Sequence, residues 1–233
     1  LKKAQTHFKK NEDGTLKLTK EAAHSTSRII YDGDHTGKSI QISLLNYIEN
    51  LQSPYLQIIS SATALDLITP SHHGKDIHHR YCEHQVLGAY IFHQKEDLVQ
   101  TILANKTVLA TGGIGNLYLH NSNTYSSRGD GHAMAKRVGA RIINMEFIQF
   151  HPTTLFIKKG HSRFLISETL RGEGGKLLDQ AGKPFMQNYH PDRELAPRDV
   201  VSQAIWEEMI AKKQDYVYLD MTHLSTQHLQ TRF

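Results

Sequence analysis

The chain has 233 residues, 39% of them apolar and 21% charged, with a net charge of +4 spread along its length. That is enough for one large domain or two small ones, and no basic block interleaved with aromatics suggests a nucleic-acid partner. No apolar run approaches the ~18–20 residues of a membrane span, none resembles a signal peptide, and the single cysteine, Cys82, excludes an intramolecular disulfide and fits a reducing, cytoplasmic compartment.

The first residues are polar, with a turn at Asp13-Gly14. Glu21, His24 and Arg28 have spacings that share a helix face, but Ser25-Thr26-Ser27 and the glycines at 33 and 37 favour a solvated loop. Ile40, Leu44, Leu45, Ile48 and Leu51 then recur at helical spacing, and the pattern stops before Pro54. β-Rich runs over 55–60, 62–69, 86–93, 97–103 and 107–110 predict strands. Between them lie His72, His73, His78, His79 and His84, with Cys82 close by. These are zinc-ligand types, but the spacing fits no zinc pattern, so an exposed loop without metal is expected.

The run over 107–110 stops at Thr111-Gly112-Gly113, where absence of a Cβ lets the backbone turn sharply or approach a ligand. A second glycine turn, Ser127-Arg128-Gly129-Asp130-Gly131, precedes a predicted short helix with Ala133, Met134 and Val138 inward and Gly139 closing it. Free amides and a carboxylate there suit phosphate or flavin oxygens and ribityl or ribose hydroxyls; two purely structural turns are the alternative. Pro152 biases His151 to an extended conformation. Residues 174–182 read as a hairpin. Pro197 at a first helical position, with Val200, Val201, Ile205 and Met209, marks a further helix start. Arg198 in its first turn opposes the helix dipole, so it serves either an anion or proton path, or a surface pair with Asp199 or Glu194.

The ordered run of Ala110-Thr111-Gly112-Gly113, Tyr118, Ser127 to Gly131, and Met145 to Thr153 (MEFIQFHPT) resembles the fumarate reductase/succinate dehydrogenase flavoprotein family, over roughly residues 18–222. Within it, the pattern around Glu21 and the string VYLDMTH at 217–223 are similar to the branch that oxidises L-aspartate. The resemblance implies an α/β fold: the latter part of a Rossmann-like FAD-binding domain over 1–144, then part of an α+β capping domain over 145–233. It implies FAD held partly by Ala110, Thr111, Gly112, Gly113 and Asp130, with Ala64 near the adenine. It further implies a substrate shell in which Glu21 faces an ammonium, His151 and Ser167 donate to a carboxylate, Glu168 forms part of the wall and Arg198 handles a proton. Ala22 and Ala23 stand where the family has two glycines, and Ser167 where most members have threonine.

The implied reaction is oxidation of L-aspartate to iminoaspartate, with oxygen or fumarate reoxidising the flavin and the product feeding quinolinate and NAD synthesis by way of quinolinate synthase. A succinate dehydrogenase or fumarate reductase flavoprotein subunit with an iron–sulfur partner is one alternative, and an inactive remnant another. The family also carries a strand–GxGxxG–helix unit upstream of the matched residues, and a histidine and an arginine downstream. The expectation is an internal stretch of a longer enzyme, inactive by itself.

Overall fold

The computed structural model describes residues 1–20, 24–33, 35–157 and 163–232. In chain order these form strands β1 (Leu18–Thr19) and β2 (Ile29–Ile30), helix α1 (Thr36–Asn50), strand β3 (Ala62–Ile68) and helix α2 (Pro70–His73). Next come strands β4 (Gly88–His93) and β5 (Leu98–Leu103), then helices α3 (Asp130–Arg137) and α4 (Thr169–Gly172). Strand β6 (Lys176–Leu178), helix α5 (Arg198–Lys212), strand β7 (Tyr218–Asp220) and helix α6 (Thr226–Arg232) complete the order.

Residues Leu1–Pro54, Gln149–Lys158 and Phe164–Phe233 gather into one compact unit, and Tyr55–Ile148 with Lys159–Arg163 into a second. In the first unit, β1 pairs antiparallel with β2, and β6 with β7. Its core is Leu177, Phe185, Met186, Ala196, Val201, Ala204 and Ile205, with Val200, Met209 and Leu219 packed against it. The predicted spacing along α5 therefore finds its face. Leu177 and Phe185 are 0% and 1% exposed, and burying such side chains is worth about 1.5–3 kcal/mol each. α5 ends at Lys213, whose φ of 53° is left-handed and lets its amide cap the Ile210 and Met209 carbonyls. A salt bridge from Lys212 Nζ to Asp179 Oδ2 and Glu208 Oε2, each at 2.7 Å, ties this end of the helix to the β6 turn.

In the second unit, β3, β4 and β5 form an antiparallel meander with Thr63 opposite Phe92 and Tyr90 opposite Thr101. A bulge between Ala64 and Asp66 shifts the register. Leu67 from β3 packs with Met134 and Val138 of the α3 segment. Helix and strand are mixed throughout, but every strand pairing among the described residues is antiparallel. The fold class does not rest on a parallel sheet here.

Several expected elements differ. Residues 55–60 and 107–110 form no strand; Tyr55 and Val108 are 97% and 86% exposed. An extended run becomes a strand only when a neighbour takes its ladder bonds, and none does among the described residues. α1 forms as predicted, yet none of its residues is buried. In α3 Met134 and Val138 turn inward, but Ala133 is exposed and Gly131 is the buried residue of the first turn. Pro197 caps α5 from outside, which makes Arg198 the first helical residue. The histidine stretch contains helical turns capped by the side chains of Thr69 and Asp76.

Candidate active site

In the first unit, residues 153–155 and 164–166 run alongside each other. Leu155 N–H donates to Phe164 O at 2.8 Å, Ile166 N–H to Thr153 O at 3.1 Å, and Thr153 Oγ1 to Ile166 O at 3.0 Å. This pairing carries His151 and Glu168 at the same end, with His151 Nε2 3.9 Å from Glu168 Oε1. The start of α5 fixes the other side. Ser202 Oγ donates to Phe150 O at 2.8 Å, and Arg198 Nη1 to Gln149 Oε1 at 3.2 Å. Residues four apart on a helix share a face, so one side of α5 grips the backbone leading into His151.

Glu168 is the centre of this cluster. Its side chain is 4% exposed, and Oε1 accepts from Arg171 Nη2 at 2.8 Å and lies 2.7 Å from Arg198 Nε. Arg171, one turn along on α4, has a fully buried side chain and also donates from Nη1 to Glu194 O at 2.8 Å. Two guanidiniums on one carboxylate leave a net positive charge in a largely dry place, which suits an anionic ligand. Burial pulls the Arg171 guanidinium below its ordinary value, with Glu168 pulling the other way. Burial likewise pushes the His151 imidazole below its ordinary value; its Thr153 contact and Glu168 oppose the shift, and Arg198 and Arg171 add to it. His151 thus favours the neutral form, and its Nδ1 lies 3.0 Å from Thr153 O and accepts Thr153 N–H at 3.2 Å.

Ser167 lies beside Glu168 in the chain, but its hydroxyl is turned to its own loop. It donates to Thr169 Oγ1 at 3.0 Å and accepts Thr169 N–H at 3.2 Å. Glu21 lies outside the described residues. The residues implied for the substrate shell are therefore brought together at His151, Glu168 and Arg198, with Ser167 adjacent. Arg198 pairs with Glu168, its Nε lying 2.7 Å from Oε1. Arg171 was not singled out from the sequence. Its signal was there: it stands three residues from Glu168, the spacing at which helix side chains meet.

In the second unit the two glycine turns abut. Gly112 and Gly129 hold left-handed φ values of +77° and +85°, and a Cβ added at Gly131 would collide with the Thr111 side chain. The two ends of the 114–127 loop are joined, Asn116 N–H donating to Ser127 O at 2.9 Å. A Cβ at Gly113 would meet nothing within 4 Å, so the space over this backbone is open. Among the described residues the Gly112 and Gly113 amides donate to no backbone carbonyl. Asp130 stands in the first turn of α3, exposed, with Oδ2 3.3 Å from Arg128 Nη2. Open backbone amides and an accessible carboxylate fit the oxygens and hydroxyls of a dinucleotide cofactor. Ala110 lies in the exposed run entering this turn, and Ala64 is exposed on β3 at its bulge.

The chain belongs to the FAD binding domain family, whose model matches residues 1–233. Its glycine turns are accordingly part of an FAD-binding domain. Among curated proteins it is similar to L-aspartate oxidase 1 of Ralstonia nicotianae, 43% identical over 216 residues, covering 93% of this chain and 39% of that protein. L-aspartate oxidase of Vibrio cholerae is 40% identical over 223 residues, covering 96% of this chain and 40% of its own length. Among solved structures, a quinol fumarate reductase from E. coli carrying a point mutation superposes with a TM-score of 0.83 at 30% identity, covering 98% of this chain and 39% of that one. The chain thus spans about two fifths of the length of the curated relatives it matches. No helix among the described residues is long and apolar enough to cross a membrane.

Proposed function

We propose that this chain is a central stretch of an FAD-dependent enzyme that oxidises L-aspartate to iminoaspartate. The observation that carries the reading is Glu168 holding Arg171 and Arg198 on one carboxylate oxygen with His151 at 3.9 Å. A dicarboxylate needs fixed cationic and neutral donors, and this cluster supplies both. The similarity to L-aspartate oxidases of Ralstonia and Vibrio supports the choice of substrate. Residues 1–144 would contribute to the cofactor domain and 145–233 to a capping domain.

Bound FAD would supply the hydride acceptor, with Ala110, Thr111, Gly112, Gly113, Asp130 and Ala64 among its contacts. The chain's own residues bind, orient and move a proton. His151, kept neutral by burial, donates from Nε2 to a substrate carboxylate. Ser167 belongs to the same carboxylate set, and Glu21 pairs with the substrate ammonium. Arg198 takes the proton released as the amine becomes an imine. An arginine is a poor base because of its high pKa; a fixed carboxylate at 2.7 Å makes the exchange tenable by passing the proton on. Oxygen or fumarate would then reoxidise the cofactor, and the imine would pass to quinolinate synthase in the cytoplasm. The decisive experiment is turnover by the complete FAD-loaded protein. L-Aspartate-dependent formation of iminoaspartate is expected; turnover of succinate alone would replace this reading.

The superposition on quinol fumarate reductase favours a second reading, a flavoprotein subunit acting on succinate and fumarate. The two differ in whether an ammonium is recognised, so Glu21 separates them.

A further inference from the structure

A neutral imidazole has one N–H and one bare nitrogen, and only the nitrogen with the hydrogen donates. His151 can therefore donate from Nε2 only if Nδ1 is the bare one. Pro152 has no N–H, so Thr153 supplies the first backbone donor after His151, and that N–H meets Nδ1 at 3.2 Å. A backbone amide cannot turn its hydrogen away. The contact asks for a lone pair on Nδ1 and sends the ring hydrogen to Nε2. At 3.9 Å, Glu168 Oε1 is too far to take that hydrogen. The Thr153 carbonyl works against this arrangement, because its oxygen lies 3.0 Å from the same Nδ1 and would draw the hydrogen there.

Thr153 is itself tied down. It is 6% exposed, its O accepts Ile166 N–H at 3.1 Å, and its Oγ1 donates to Ile166 O at 3.0 Å. The Ile166 amide thus engages the carbonyl that competes for the ring hydrogen, and the hydroxyl locks the two segments in that register. Ile166 directly precedes Ser167 and Glu168, so the same two bonds set His151 against the stretch that carries them.

We propose that Thr153 is a positioning residue for the His151 donor: its hydroxyl holds the pairing with Ile166, and that pairing keeps the His151 hydrogen on Nε2. The inference rests on the dicarboxylate reading above and adds to it the group that decides which end of His151 donates. Thr153 acts through His151, and what it favours at Nε2 is an acceptor with no hydrogen of its own, a carboxylate oxygen.

The test uses the complete protein loaded with FAD and titrated with malonate, a dicarboxylate that cannot be oxidised across adjacent carbons, followed by the flavin absorbance change. Retention of the flavin spectrum checks the fold of each variant. Thr153→Val keeps the shape and removes the hydroxyl, and should raise the malonate Kd by about three- to tenfold. Should that variant lose the flavin, Thr153→Ala takes its place in the same comparison. Thr153→Ser keeps the hydroxyl and should stay within about twofold of wild type. His151→Ala removes the ring through which Thr153 acts, so adding Thr153→Val to it should change Kd by less than about twofold further. A merely structural role would give the same penalty in both backgrounds. With L-aspartate, Thr153→Val should raise KM while leaving kcat less affected. A Thr153→Val protein that binds malonate as wild type does, or an undiminished penalty in the His151→Ala background, overturns the proposal. Malonate binding without aspartate turnover in the wild type removes the oxidase reading alone, and the variant pattern still decides the role of Thr153. No malonate binding by the wild type ends both.

Discussion

Arg198 Nε and Glu168 Oε1 stand 2.7 Å apart, yet the two side chains live in different surroundings: 39% of Arg198 is exposed and 4% of Glu168. Arg171, on the same oxygen at 2.8 Å, is not exposed at all. One carboxylate thus serves an arginine that reaches solvent, and another that is wholly buried with it.

The two arginines should therefore fail in opposite ways. Arg171→Met strips the buried carboxylate of its dry partner, and breaking such a pair costs about 3–5 kcal/mol. Arg198→Met removes a partly solvated pair worth about 1 kcal/mol or less. Thermal unfolding should show a large fall in Tm for the first and a small one for the second. Turnover of folded protein should show the reverse emphasis, with Arg198→Met losing about 100-fold or more in kcat. Equal Tm losses would contradict this division of labour.

Glu21 is predicted to set the choice between an amino dicarboxylate and a plain one. Glu21→Gln in the complete protein should weaken L-aspartate use by about 10- to 100-fold, the worth of one charge-assisted contact. Fumarate reduction should change much less. Parallel losses on the two substrates would favour the succinate and fumarate reading.

Stability should fall toward acid for two separable reasons. Ser39 Oγ donates to Asp32 Oδ2 at 2.6 Å, and His7 Nδ1 lies 3.2 Å from Oδ1. The Ser39 bond leads in holding the Asp32 carboxyl below its ordinary value, with His7 and His35 adding to it. The unfolded chain then binds the proton first, so this contribution is present above the ordinary carboxylate range and is lost as pH falls through the folded value. His151 is also lowered, by burial. Unfolded His151 takes a proton that the folded residue refuses, so its effect sets in earlier, as pH drops through the ordinary imidazole range. In Tm measured against pH, Asp32→Asn should flatten the more acidic fall and His151→Gln the milder one. A Tm that rises toward acid in the wild type would refute both.

Lys213 holds a left-handed φ of 53° at the end of α5, a conformation that costs a side-chain-bearing residue and not glycine. Lys213→Gly should raise stability by about 0.5–1 kcal/mol, read as a higher Tm. An unchanged or lower Tm would mean that the lysine side chain contributes something the backbone cost does not outweigh.

The sequence was most legible where a local pattern matched a local packing need. The Val201 and Ile205 spacing put α5 on its core, and the runs over 62–69, 86–93 and 97–103 became the β3–β4–β5 meander. It was least legible where structure depends on a neighbour. The run at 107–110 has strand composition but no pairing partner among the described residues, and no residue of the apolar stripe of α1 is buried. At the candidate site, residue types were readable but partnerships were not. Nothing local in Arg198 pointed to Glu168 over Asp199, because that pairing is made by how residues 149–155 and 164–168 lie against α5. Ser167 shows the same limit: a hydroxyl is visible in sequence, the direction of its hydrogen is not.

The Thr111 side chain occupies the place where a Cβ on residue 131 would fall, and Ile114 does the same for residue 129. The two turns are shaped against each other. A side chain fits at 131 only if the one at 111 shrinks or moves aside, so the freedom of one turn is set by the other. Anyone grafting the 127–131 turn onto another scaffold would have to carry the 111–114 segment across with it, since either one alone arrives without the counterpart it is shaped against.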